Sequence, residues 1–222
     1  MLKTYEEKKS KIQDEILDIG NGVIEALELT LVALKNDDLS KLKDIDLSVK
    51  KISNKSNEID NLIVTTLALY SPEAKDLREL VSYLKITNEL VRAGANAKAF
   101  AKIFRKSFTE DLNTKTILEY AIPLQKATIL ALQTSMSMLK ESTSNHVEEK
   151  YQRVIVEESK TDDLYAMIEK NILKLISKNL ELSKEYFEVL SALRKLEKTA
   201  DRAASIGNLL LFAEKGGDIE QS

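Results

Sequence analysis

The sequence contains no cysteine and no tryptophan, a single histidine, two prolines and six glycines among its 222 residues. Without cysteine there can be no disulfide, no thiolate nucleophile and no Cys-ligated metal. One histidine cannot build a His-rich metal site. That residue, His146, follows Thr143, Ser144 and Asn145 in a polar stretch and is expected to be an exposed bystander. So few glycines and prolines argue against an all-β protein, which needs many turns. There is no excess of positive charge either: net charge is −3 and pI about 5.5. A nucleic-acid binder would need a basic face, so no nucleic-acid partner is expected. The N-terminal stretch MLKTYEEKKSKIQDE is too charged for a signal peptide, and no run of 18 apolar residues exists. No membrane insertion is expected, and the cytoplasm is the simplest location.

What remains is a helical pattern. Hydrophobic residues make up 43% and charged residues 31%, with Lys, Arg, Asp and Glu interleaved as on solvated helix faces. Ile12, Ile16, Ile19, Val23, Ala26, Leu27, Leu31 and Leu34 form one stripe at spacings of three and four. The turn signal KNDD follows at 35–38, and a second helix is expected over about 39–69. The third helix has a sharp start in SPEAKDLREL: Ser71 suits an N-cap, Pro72 the first helical position, and Glu73 the positive end of the helix dipole. It runs to about Phe108. Helices four, five and six are expected near 112–140, 147–179 and 182–214, with Pro123 as a kink or late start and Gly216-Gly217 as the stop.

Three long helices followed by three more is an internal duplication with a period of about 106 residues. Long helices joined by short turns pack as antiparallel neighbours. The expected fold is therefore all-α: two tandem three-helix bundles, at 1–108 and 109–215, with a tail at 216–222. A single long coiled coil fits less well, because the heptads are not sustained.

The duplication is unequal in one respect. LEKTADRAASIG (196–207) carries Glu197 and Asp201, four apart and therefore on one helix face. Its counterpart LVRAGANAKAFA (90–101) has Val91 and Ala95 in those places. Helix five carries a second pair, Glu158 and Asp162, in VEESKTDDLY. With 36 acidic residues, chance alone produces several such pairs, and each taken singly reads as a solvated face. Together they say more. If the turn between helices five and six centres near residue 181, Asp162 lies 19 residues before it and Asp201 20 after. Antiparallel packing then levels them to within ~1.5 Å, one residue's rise. Four converging carboxylates repel unless a cation, a proton or basic groups neutralise them. All-oxygen ligands favour hard ions such as Mg²⁺, Mn²⁺, Ca²⁺ or iron. A salt-bridge network with Lys160, Lys198 and Arg202 is the competing explanation.

Three segments resemble the PhoU family of bacterial phosphate-signalling regulators, and the resemblance spans nearly the whole chain. SPEAKDLRELVSYLKITNELVRAG is similar to the family's P-x-A-x-DLR segment and the run after it. ESKTDDLY resembles its acidic motif, and LEKTADRAASIGNLL its LERIGDHAxNIA segment. The resemblance implies tandem three-helix bundles whose E/D-x-x-x-D motifs hold multinuclear metal, usually iron, with Mg, Mn, Zn or Ca as alternatives. Carried over, the metal ligands are Glu158, Asp162, Glu197 and Asp201. In the first repeat the family's acidic positions fall on Val91 and Ala95, and on Val49 and Ser53. Asp44 and Asp46 are near but have no acidic residue four away. No metal is expected in the first bundle; the substituted face is either core or an apolar contact surface such as a dimer face. Asp76 and Arg78 of the DLR motif are expected to serve structure or a partner contact.

The resemblance further implies a non-enzymatic regulator of phosphate uptake and phosphate-starvation signalling. Its partners would be the ATPase of the phosphate ABC transporter and a sensor histidine kinase, with a homodimer as a further assembly. The alternatives are an accessory of a sodium/phosphate cotransporter, a metal-dependent phosphohydrolase using the four carboxylates, and a metal-free helical scaffold. No catalytic residue is assigned.

Overall fold

The computed structural model describes residues 2–217 except 37, 44 and 142, and the backbone but not the side chains of 2, 41 and 46–50. Six long α-helices account for nearly all of it: α1 (Leu2–Lys35), α2 (Ile45–Tyr70), α3 (Ala74–Ser107), α4 (Thr114–Ser137), α5 (Ser144–Lys178) and α6 (Ser183–Lys215). No strand is present among the described residues. Short 3-10 turns at Leu39–Lys43 and Leu180–Leu182 join α1 to α2 and α5 to α6. Helices α1, α2 and α3 all touch one another, and so do α4, α5 and α6, giving two three-helix bundles. Among the described residues no helix is long and apolar enough to cross a membrane.

Helix starts depart most from the sequence reading. Ser71 does not cap α3. Its φ is +45°, and its N–H donates to the Leu67 carbonyl at 3.1 Å, closing α2. An N-cap residue takes extended backbone, whereas Ser71 has a positive φ and its N–H is used to close α2, so it ends one helix instead of opening the next. Glu73 takes the N-cap place without a side-chain cap bond, and α3 begins at Ala74. Helix α2 starts at Ile45, because 39–43 wind as a 3-10 turn in which Ser40 N–H and its hydroxyl donate to Asp38 Oδ1. Asn113 accepts from Thr116 N–H at 3.1 Å and caps α4, which runs through Pro123. At the other end Gly216 stops α6 as expected: its φ of +72° is costly for any residue with a Cβ, and its N–H reaches Phe212 O at 2.8 Å.

The inner stripes of all six helices merge into one core. Ile12, Ile16 and Ile19 of α1, Ile63 of α2, Phe100 and Phe104 of α3, Leu124 and Leu132 of α4, Ile168 of α5 and Leu196 of α6 are fully buried in it. Phe100, Phe104 and Phe108 follow at spacings of four, with ring centroids 5.2 and 4.6 Å apart. Two contacts carry the core across the bundles. Helices α3 and α6 share the most extensive helix–helix contact in the molecule, and α1 meets α4. At the second, the helices approach closely at Gly20: a Cβ there would lie 2.5 Å from Met136 Cε, and that side chain would have to shift. The buried Gln125 amide of α4 donates to Leu27 O at 2.8 Å and to Thr30 Oγ1 of α1. Buried polar groups bonded in this way fix register, since misplacing them leaves unmade hydrogen bonds.

The DLR segment lies where three helix ends meet. Asp76, in the first turn of α3, accepts from Lys9 Nζ of α1 at 3.2 Å. The Arg78 guanidinium rests against the end of α6, where a methyl at Gly216 would lie 3.5 Å from its Cζ. Lys75 and Ser144 both bond Glu214 and hold its carboxyl below the usual range, with the Arg78 charge adding to the effect.

A candidate carboxylate metal centre

The second bundle brings three of the four acidic residues into one cluster. Glu158 and Asp162 stand one turn apart on α5, and Asp201 stands on antiparallel α6. One carboxylate oxygen from each lies within 4.8 Å of the others. Both helices carry buried stripes on their inward faces (Val154, Thr161, Tyr165 and Ile168 on α5; Leu193, Leu196, Ala200 and Ala203 on α6), and these place the acidic residues at the rim. Asp162 is exposed, and Glu158 and Asp201 are half-buried. Burial, then the Asp162 and Asp201 charges, push the Glu158 carboxyl up. Burial also raises Asp201, with Asp162 adding to it and Lys198 opposing.

Glu197 is placed apart from this trio. It is only 6% exposed, and Arg194 Nε lies 3.2 Å from its Oε2. That contact is off the line for a hydrogen bond, so the buried oxygen has no hydrogen-bond partner among the described residues. Arg194 in turn stacks over the Tyr165 ring, 4.9 Å from its centroid. Burial first, and the Asp201 charge second, push the Glu197 carboxyl up to about 7.

The competing salt-bridge network forms only in part. Lys160 pairs with Glu157 at 3.3 Å, outside the cluster. Arg202 turns away to Glu89 of α3, where Nη1 donates to Oε2 at 3.0 Å. Lys198 does pull Glu197 and Asp201 back toward their ordinary range. The cluster is thus crowded with negative charge that its basic neighbours only partly offset. A convergent all-oxygen donor set at a water-accessible rim fits a hard cation. Histidine plays no part: His146 is exposed, and its Nδ1 lies 3.6 Å from Glu141.

The matching face of the first bundle is different. Val91 packs half-buried against the core, while Ala95 and Ser53 are exposed. The side chains of Val49 and Asp46, and the whole of Asp44, lie outside the described residues. Asp60 of α2 accepts from Thr87 Oγ1 at 2.6 Å, a bond within the bundle. Among the described residues no second group of three acidic side chains converges. Three contributors escaped the sequence reading. Arg194 stands three before Glu197, a visible ion-pair spacing. Tyr165 and Glu89 act across helices and leave no local signal.

A family model described as the PhoU domain matches the chain twice, at residues 16–104 and 125–210. The phosphate-specific transport system accessory protein PhoU homolog of Xylella fastidiosa is 24% identical over 216 residues, covering 97% of this chain and 89% of that protein. Among solved structures, PhoU from Pseudomonas aeruginosa superposes with a TM-score of 0.83 at 18% identity, covering 96% of this chain and all of that one. The phosphate transport system regulatory protein PhoU from Streptococcus pneumoniae superposes with a TM-score of 0.81 at 20% identity, covering 98% and 100%.

Proposed function

The chain belongs to the PhoU family, and on that premise we propose that it is a regulatory accessory protein of phosphate transport that links a transporter to a sensor kinase. The observation that carries this reading is the pair of PhoU-domain matches, one on each bundle, in a chain that spans 89% of the Xylella relative's length. Those relatives are named as accessory and regulatory proteins, not as enzymes. The repeats correspond to residues 1–108 and 109–215, with 216–222 as a tail, and the protein works in the cytoplasm beside the transporter. Its docking partners are the ATPase subunit of a phosphate ABC transporter and a sensor histidine kinase, and long rigid helix faces suit such docking.

In the second bundle, Glu158, Asp162 and Asp201 are the residues to hold a metal ion, with Glu197 one turn along α6 as a further carboxylate. When bound, the ion neutralises the cluster and cross-links α5 to α6. Iron follows from the family resemblance, and the oxygen donor set serves Mg²⁺, Mn²⁺ or Ca²⁺ as well. The role is structural or modulatory. Disruption of the gene tests the regulatory reading: a phosphate-starvation reporter is expected to stay on at high phosphate. A reporter that still shuts off would overturn it, and altered sodium-dependent phosphate uptake in the same strain would favour the cotransporter role.

A further inference from the structure

The metal cluster carries its own competitor. Arg202 is the neighbour of Asp201 in the chain, permanently charged, and able to bond carboxylates bidentately. Its charge already reaches the Asp201 carboxyl. A guanidinium laid over three crowded carboxylates would neutralise them and occupy the place of a cation. Instead the side chain crosses the α3–α6 contact, where Glu89 of the first bundle takes Nη1 at 3.0 Å. Both partners are largely shielded, with side-chain exposures of 25% and 17%, so water screens this pair less than an open surface bridge. Glu89 also has Arg92 beside it at 3.9 Å, a second cation on the same carboxylate. Lys195, the residue of the second repeat that corresponds to Glu89, has the opposite charge, so the duplication has not produced a symmetric pair.

We propose that Glu89 is a positioning residue for the metal centre of the other bundle: by holding Arg202 across the α3–α6 interface it keeps Glu158, Asp162 and Asp201 open to a cation. This rests on the metal-binding reading above. Its consequence is reciprocal. Anything that parts Glu89 from Arg202, such as a shift of α3 along α6, weakens the metal, and metal bound at the cluster favours the closed interface.

The test is titration of the full chain with Mn²⁺ by calorimetry, with thermal unfolding in chelator as the fold check. Glu89→Gln keeps the shape and removes the hold; metal affinity is expected to fall roughly tenfold, the scale of one charge-assisted contact. Adding Arg202→Gln to that variant is expected to restore affinity to the wild-type level, because the competitor is gone. A merely structural Glu89 would lower the unfolding temperature and leave the affinity of the folded protein unmoved, which would overturn the proposal. Loss in Glu89→Gln without rescue in the double variant would overturn it as well. A wild-type chain that takes up no Mn²⁺ and, purified without chelator, carries no metal sinks the underlying reading instead.

Discussion

The α5–α6 face and the α2–α3 face occupy corresponding places in a duplicated fold, and they are chemically opposite. One gathers Glu158, Asp162 and Asp201 at a rim; the other has Val91 half-buried, Ala95 and Ser53 exposed, and Asp60 bonded to Thr87. Yet both bundles have the same three-helix packing. The inward stripes therefore carry the fold, and the rim positions one helical face away are free to change chemistry. Like-charged rim residues are not there for stability. Crowding and burial raise Glu158 and Asp201, which means that the folded chain holds these anions at some cost.

The largest test of this comparison strikes what the faces share. Phe100→Ala, in the first bundle, empties a fully buried site in the common core and is expected to cost about 3–5 kcal/mol. Because the core is continuous, calorimetry should show one transition moved as a whole. Two separate transitions would mean that the halves are energetically independent. Next comes the asymmetry itself. Asp162→Asn with Asp201→Asn is expected to weaken Mn²⁺ binding by about 100-fold or more, since affinity follows ligand charge count. The same variant should melt higher than wild type in chelator, its repulsion having been relieved. The reverse graft, Val91→Glu with Ala95→Asp, is expected to create no metal site, because Ser53 opposite supplies no carboxylate. It should destabilise the chain by about 1–2 kcal/mol through the half-buried Val91 position, as read from denaturant titration.

The smallest effect is a pH dependence. The folded-state value of Glu197, about 7, lies above its ordinary 4.5, so the folded chain binds this proton more tightly than the unfolded chain. Stability contributed here is full below about 4.5, declines as pH rises through about 7, and stays lost above. Glu197→Gln in chelator should therefore be more stable to denaturant than wild type at pH 8, by on the order of 1 kcal/mol. The difference should close near pH 4.5. An equal gain at both pH values would assign the effect to packing instead.

The helices and the levelling of Asp162 with Asp201 were legible because both follow from local periodicity and one turn position. What escaped has a different physical origin. Ser71 looks like an N-cap on residue type alone, but its N–H satisfies the end of α2 and its φ is positive. Glu197 shares the spacing of a ligand, yet its burial beside Arg194 and Tyr165 is a property of the α5–α6 packing. Arg202 belongs to the competing salt-bridge explanation in the sequence; its partner Glu89 lies 113 residues earlier, beyond any local pattern.

At the turn Leu180–Leu182, Leu180 is 73% exposed while Leu182 packs against the core. Asp162 and Asp201 each lie about 20 residues from it, roughly 30 Å along the helices. An inserted residue would have to rotate all of α6 by about 100° to disturb the cluster, dragging Leu193, Leu196 and Ala200 out of the core. The cheaper outcome is for the extra residue to bulge into solvent. The alignment of the carboxylates is thus remembered by the buried stripe, and loop length at this tip is slack that can drift without the rim noticing.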